Sequence, residues 1–383
     1  YAGTGGLRIV GANVPVRLGW THVTGVYDAP AHQLRVYVQG ELAGVLSDVT
    51  IPAIAAGPTT VGRAKWNGAQ VDFTDGFVDE VRTFSRALSA AEIKELNRTD
   101  RAGQQSAPAG ASINGDAYAD LADVNNSLDV WDNTRNFPGW PWNQKNTGNA
   151  CCYPNGDQVK FADLDGDGRS ELIEINMHGD GIMYAWHNTG SFPGGTWGTR
   201  IEIGSGWYDG TKVFFADLTG DGRAELINVD GQNDGRIRAW RNTSGFDTRP
   251  GYPWTEDPFV IGYGWTANRA RFGDMDGDGR ADLVGIGMGA NGTSKVQHNN
   301  GQFGTSAMWD TAVEVLPAGT ADPARYRLAD LNGDGMAELI GINEFNNSGL
   351  LRAWPNTGKP NSPWESVVTI GNGWTSPARA VFG

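Results

Sequence analysis

Four stretches of the chain are near copies of one another: FADLDGDGRSELIEIN from residue 161, FADLTGDGRAELINVD from 215, FGDMDGDGRADLVGIG from 272 and LADLNGDGMAELIGIN from 328. Their first aspartates, Asp163, Asp217, Asp274 and Asp330, lie 54, 57 and 56 residues apart. A repeat of this length is one supersecondary unit that cannot bury its own faces, so neighbouring copies must stack. Other signals keep the same phase. YAWHNTG at 184, RAWRNTS at 238 and RAWPNTG at 352 follow the acidic loops, with VQHNNG at 296 as a weaker copy, and IGSGW, IGYGW and IGNGW begin at 203, 261 and 370.

An earlier segment, YADLADVNNSLDVWDNT at 118, keeps Asp120 and the run Trp131-Asp132-Asn133-Thr134 but has lost most of the acidic loop. It reads as a degenerate first unit. The chain ends at AVFG, residues 380–383, where the pattern calls for the next aspartate, so the last repeat is expected to be incomplete. Each unit holds short alternating stretches such as Leu172-Ile173-Glu174-Ile175 and Ile237-Arg238-Ala239-Trp240, broken by Gly, Asn and Pro. That is enough for four short strands, the content of one propeller blade. A β-solenoid is the second reading, and it would use a shorter period. The 55 Gly and 18 Pro set among short apolar stretches fit an all-β chain.

Three carboxylates within five residues repel one another, so the loop needs a cation. Counted from the first aspartate, it offers oxygen at positions 1, 3, 5 and 9 and glycine at 4 and 6. The first full copy supplies Asp163, Asp165, Asp167 and Glu171; the second Asp217, Thr219, Asp221 and Glu225; the third Asp274, Asp276, Asp278 and Asp282; the fourth Asp330, Asn332, Asp334 and Glu338. Position 7, which is Arg169, Arg223, Arg280 and Met336, would add its main-chain carbonyl. Hard cations such as Ca²⁺ take six to eight oxygens in this way. An EF-hand is excluded because its loop requires a bidentate Glu at position 12, where three of the copies have Asn228, Gly285 and Gly341. About four Ca²⁺ sites are expected, with the Thr219 and Asn332 loops binding more weakly. The loop carboxylates number 4, 3, 4 and 3, or 14, which equals the excess of 44 acidic over 30 basic residues. The charge of −14 repels a phosphate backbone and excludes nucleic acid as a partner. No apolar run approaches the roughly 18 residues that cross a bilayer. The two cysteines, Cys151 and Cys152, are adjacent, and either a strained vicinal disulfide or two free thiols fits them.

The Phe272-Gly273-Asp274 start and the repeated D-x-D-x-D-G-x-x-[DE] loop resemble the FG-GAP or VCBS-type repeats of integrin α-subunit propellers and of many bacterial secreted proteins. The resemblance covers residues 116–383. It implies a calcium-stabilised propeller, usually seven-bladed, of which this stretch holds about five blades.

Upstream, GWTHVTGVYDAPAHQLRVYVQGELAG from Gly19 reads as two strands, with Leu34, Val36 and Val38 alternating with Arg35, Tyr37 and Gln39 and a tight turn at Gln39-Gly40. A helix follows later, with Ser89 as N-cap and Glu92 completing a capping box. The strand Phe77-Val78-Asp79-Glu80-Val81-Arg82 followed by Arg86-Ala87-Leu88-Ser89 is similar to the C-terminal half of a laminin-G-like, concanavalin-type β-sandwich. The organisation read from the sequence is therefore a sandwich half over 1–100, a linker over 101–115 and a propeller from 116.

Together the two resemblances imply an extracellular, non-catalytic binding module whose partner is a glycan or an extracellular protein. An accessory module of a larger secreted hydrolase, or a spacer in a surface or toxin-like assembly, is the alternative. Asp79 and Glu80 are neighbours on a strand and face opposite ways, which does not suit paired acid–base work. His22, His32, His178, His187 and His298 show no metal-ligand spacing. Trp186, Trp240 and Trp354, or Trp207, Trp265 and Trp374, are the candidate sugar-stacking rings, although one Trp per blade also suits packing between blades.

Overall fold

The computed structural model describes residues 22–38, 41–49, 64–66, 69–71, 81–90, 92, 93 and 96, and then 112–125, 127–146, 156–190, 197–243, 252–255, 257–289, 292–315, 322–344, 346–359 and 363–383. Cys151, Cys152, Asp79, Glu80 and the Gln39-Gly40 turn lie outside the described residues. Its contacts divide the chain into two units, Tyr1–Gly103 and Gln104–Gly383.

In the first unit, β1 (Val23–Asp28), β2 (Gln33–Val38) and β3 (Glu41–Leu46) form an antiparallel sheet, and β4 (Ala64–Trp66) pairs with β5 (Ala69–Val71). Val38 stands opposite Glu41, as a two-residue hairpin connection requires. The alternation on β2 differs from the expected one: Tyr37 is the buried residue, packed with Val26, Leu88 and Ile93, while Leu34, Val36 and Val38 are half-buried. The large ring fills the core face better than the small aliphatics opposite. The capping box forms. Glu92 N–H donates to Ser89 Oγ at 3.3 Å and Ser89 N–H to Glu92 Oε2 at 2.8 Å. The hydrogen bond from Arg86, with those from Ser89, holds the Glu92 carboxyl down at about 2.

Among the described residues, the second unit contains five four-stranded antiparallel sheets. The first in chain order has β6 (Leu121–Val124), β7 (Leu128–Asn133) and β8 (Trp142–Asn146). Next come β9 (Val159–Ala162), β10 (Glu171–Ile175), β11 (Met183–Trp186) and β12 (Arg200–Gly204). The third has β13 (Val213–Ala216), β14 (Glu225–Val229), β15 (Arg236–Trp240) and β16 (Phe259–Tyr263). The fourth has β17 (Ala270–Gly273), β18 (Asp282–Gly285), β19 (Ser294–Gln297) and β20 (Val313–Val315), and the fifth β21 (Tyr326–Ala329), β22 (Glu338–Ile342), β23 (Leu351–Trp354) and β24 (Val368–Gly371).

The last strand, β25 (Ala380–Phe382), does not start a new sheet. It pairs with β6, Ala380 opposite Asp123 and Phe382 opposite Leu121, and so supplies the missing inner strand of the first sheet. Within the ring, β9 neighbours both β13 and β25, and β17 neighbours both β13 and β21. Each of five apolar clusters joins two successive sheets, including one that links Leu331 and Ile340 to Leu121 and Phe382. The result is a five-bladed propeller, within the usual four to eight. The stretch holds the five blades expected of it, but they close on one another instead of forming part of a seven-bladed ring, and the last repeat is not left open. AVF at 380–382 completes the first blade across the whole length of the ring.

Candidate metal centres

Each acidic loop joins the inner strand of a blade to its second strand, where the chain must turn within a few residues. Asp163 makes the turn: Oδ1 accepts from Gly166 N–H at 2.6 Å and Oδ2 from Gly168 N–H at 2.8 Å. Gly166 and Gly168 have φ of +86° and +85°, a region that costs an L-residue roughly 1–2 kcal/mol. Asp217, Asp274 and Asp330 repeat both bonds to Gly220 and Gly222, Gly277 and Gly279, and Gly333 and Gly335. The carboxylate at position 9 is buried and closes the loop from behind. Glu171 accepts from Leu164 N–H and from Asn188 N–H, at 2.8 and 3.3 Å.

The loops also hold the blades to one another. Ser170 N–H donates to Ser112 O, Ala224 to Asp163 O, Ala281 to Asp217 O, Ala337 to Asp274 O and Ala119 to Asp330 O, at 2.7–3.0 Å. In the same order, the Asn at or just beyond the end of each third strand reaches back to the preceding loop. Asn188 Nδ2 donates to Ile113 O, Asn242 to Leu164 O, Asn299 to Leu218 O, Asn356 to Met275 O and Asn133 to Leu331 O, at 2.7–3.1 Å. Both series run once around the ring and close on themselves.

That closure reveals a fifth loop and corrects the role given to Asp120. Asp120 Oδ1 accepts from Asn133 N–H, the contact that Glu171 makes with Asn188, so Asp120 occupies position 9 rather than position 1. The loop therefore reads Ser112-Ile113-Asn114-Gly115-Asp116-Ala117-Tyr118-Ala119-Asp120, and the propeller begins by Ser112, inside the stretch expected to be linker. Ser112 replaces the position-1 carboxylate, and Ala117 takes φ of +68° where the other copies have glycine. Ala117→Gly is expected to stabilise the propeller by about 0.5–1 kcal/mol, because strain relief exceeds the entropy cost of glycine. Urea denaturation measures this directly.

Four of the acidic loops carry the groups named from the sequence. Carboxylate oxygens of Asp163, Asp165 and Asp167, and of Asp274, Asp276 and Asp278, lie within 4.8 Å of one another and could hold a metal ion. Their spacing suits a hard cation bound by oxygen at about 2.3–2.6 Å. Burial raises the position-1 and position-9 carboxyls above the usual range: Asp163 to about 7, Asp217 to about 6, and Glu171, Glu225, Asp274, Asp330 and Glu338 well up, with neighbouring carboxylates adding to the effect. Such groups ionise when a cation replaces the proton.

Two features of the site escaped sequence reasoning. His187 Nδ1 lies 3.5 Å from Asp165 and 3.7 Å from Glu171, and His298 Nδ1 lies 3.1 Å from Asp282 and 3.7 Å from Asp276. The hydrogen bond to Asp282 raises the His298 pKa. The signal was present: both histidines precede the clasp Asn in the same phase, and both belong to loops with Asp at position 3. The other feature is the side chain at position 7. Arg169, Arg223 and Arg280 pair with Asp167, Asp221 and Asp278. Arg169 lies over Gly115, Arg223 over Gly166 and Arg280 over Gly220 of the preceding blade; a Cβ at Gly166 would come within 3.2 Å of Arg223 Cγ.

The tryptophans named as stacking candidates are set among the blades. Trp265, Trp354 and Trp374 are buried, and Trp186, Trp207 and Trp240 are half-buried, with Trp207 edge-on to Trp240 at 5.2 Å between centroids. Among the described residues, the Phe, Tyr and Trp rings most open to solvent are instead Tyr208 (68%), Tyr263 (62%) and Trp140 (51%). Among the described residues, no helix is long and apolar enough to cross a membrane.

Residues 1–94 match the family described as the concanavalin A-like lectin/glucanases superfamily, and residues 163–228 and 274–341 match the FG-GAP-like repeat. These are the two families that the motifs resemble. No curated protein matches the chain. Among solved structures, an Agrocybe aegerita lectin, described as recognising non-reducing terminal N-acetylglucosamine, is similar at 22% identity over 71% of this chain and 69% of that one, with a TM-score of 0.39. A Photorhabdus luminescens Tc holotoxin pore is similar at 18% identity over 87% of this chain and 15% of that one, with a TM-score of 0.35.

Proposed function

We propose that this chain, whose two parts match a lectin-type sandwich family and the FG-GAP-like repeat, is a calcium-stabilised, non-catalytic extracellular module that binds carbohydrate. The observation that carries the non-catalytic reading is the ring of clasps. The position-1 and position-9 carboxylates of the four acidic loops accept hydrogen bonds from loop or blade backbone, so their chemistry holds the fold instead of meeting a substrate. In this reading Ca²⁺ is held by positions 1, 3 and 5, with the position-7 carbonyl and the position-9 carboxylate behind them. Asp163, Asp165 and Asp167, and Asp274, Asp276 and Asp278, form the stronger sites. Thr219 and Asn332 weaken the other two.

Sugar recognition needs exposed ring faces beside polar groups. Tyr208, next to half-buried Trp207, and Tyr263, with the Arg236 guanidinium 5.9 Å from its ring, supply them on successive blades. A glycan array probed with the whole chain in calcium is expected to give specific hits that Tyr208→Ala or Tyr263→Ala reduces by about tenfold, the size of one lost stacking contact. No hits, together with binding to a purified extracellular protein, would replace glycan recognition by protein adhesion. Release of reducing sugar from a bound glycan would contradict the non-catalytic reading.

A further inference from the structure

The second residue of each inner strand faces the propeller axis: Lys160 on β9, Phe214 on β13, Arg271 on β17, Arg327 on β21 and Val381 on β25. They line a cavity of about 440 Å³, together with Asp157 and the turns that lead into these strands. The acidic loops leave the opposite ends of the same strands, so the axis has an acidic end and a cationic end.

Three cations face one carboxylate in that cavity, in a chain whose net charge is −14. Their hydrogen bonds go to main-chain carbonyls. Arg271 donates to Tyr326 O and Pro323 O, both at 2.7 Å, Arg327 to Ala324 O at 2.7 Å and Pro377 O at 3.0 Å, and Lys160 to Asp157 O at 3.1 Å. Carbonyls orient the two arginines across blade boundaries, and Lys160 within its own blade, without neutralising any of them. All three are half-buried, and burial holds Lys160 down at about 8 and Arg271 at about 9, with the other cations adding to the effect. Like charges held this close in a partly dry cavity favour a counter-ion of matching charge.

We infer that the axial cavity is a binding site for a small tetrahedral oxyanion, such as sulfate or phosphate, free or carried as an ester on a sugar. The oxyanion sits between Lys160, Arg271 and Arg327, drawn by three positive charges that main-chain carbonyls orient but do not neutralise. This inference does not depend on the glycan reading.

The test is calorimetric titration of sodium sulfate into the whole chain in calcium buffer, with sodium chloride at matched ionic strength as the reference and glucose 6-sulfate as a second ligand. One saturable site is expected, with a melting temperature raised by sulfate and not by chloride. Lys160→Met, which leaves both arginine networks in place, should weaken sulfate binding at least about tenfold, as loss of one charge-assisted contact does. Val381→Glu, which sets a carboxylate at the fifth axial position, should abolish it. Tighter binding of glucose 6-sulfate assigns the ligand to a sugar ester, and tighter binding of sulfate to the free ion. No saturable binding of either, or binding unchanged in both folded variants, overturns the inference.

Discussion

Stripped of calcium by a chelator at pH 8, the propeller is expected to melt about 10–20 °C below its temperature in millimolar calcium. Extracellular-type sites bind at roughly 0.1–1 mM, and an ion at ten times its Kd stabilises by about 1.4 kcal/mol. Four sites together give about 5–6 kcal/mol, comparable to the stability of a whole domain. The pH dependence should vanish with the ion bound. Without calcium, burial raises Asp163 to about 7 and Asp217 to about 6, with Glu171 and Glu338 well up, above their unfolded values near 4. A raised carboxyl contributes stability that is complete below the unfolded pKa and lost as pH climbs through the folded one. The chelated protein should therefore melt higher at pH 5 than at pH 8. In saturating calcium the ion displaces these protons and the loss at pH 8 should disappear. Calorimetry at both pH values, with and without chelator, checks both halves. A melt at pH 8 that ignores the chelator would sink the stabilising role of the ion.

Asn299→Ala should cost about 3–4 kcal/mol, a fall of roughly 10 °C, even in saturating calcium. Asn299 is 2% exposed; its Nδ2 donates to Leu218 O on the preceding blade at 2.9 Å and to Ala281 O at 3.1 Å, while its Oδ1 accepts from Gly301 N–H at 3.0 Å. Alanine removes all three bonds and leaves buried carbonyls unpaired, which costs about 1–3 kcal/mol each before relaxation. Asn300→Ala is the control. That neighbour is exposed, bonding Ala307 O at 2.8 Å, and its loss should cost about 1 kcal/mol or less. Equal destabilisation by the two variants would mean that the clasp carries no special share of the ring's stability.

Blade content was readable because the repeat carries it locally: FADL, the acidic loop and ELIEIN follow one another, and strand and loop are decided within about a dozen residues. Ring closure was not. The partner of Leu121–Asp123 is Ala380–Phe382, and nothing near either segment announces the pairing. The fifth loop was hidden by two substitutions, Ser112 for the first aspartate and Ala117 for the second glycine, which led Asp120 to be aligned by its chemistry and not by its place. The W-x-N run is visible in four copies, yet its purpose lies in a hydrogen bond 75 residues away for Asn188, 78 for Asn242, 81 for Asn356 and 198 for Asn133. His187 and His298 show no metal-ligand spacing along the chain, because the loop and the third strand meet only in the folded blade. The retention of the clasp in the Ser112 loop, where the first acid is gone, separates two roles that the sequence presents as one: joining blades and holding an ion.

The most direct test of the account is the number of calcium ions bound per chain, measured by equilibrium dialysis against rising free calcium with elemental analysis of the protein. The account predicts four ions at saturation, the loops at Asp163 and Asp274 filling at lower concentration than those at Asp217 and Asp330. No calcium retained at 1 mM, or retention of zinc or manganese in its place through the His187 and His298 groups, would contradict it.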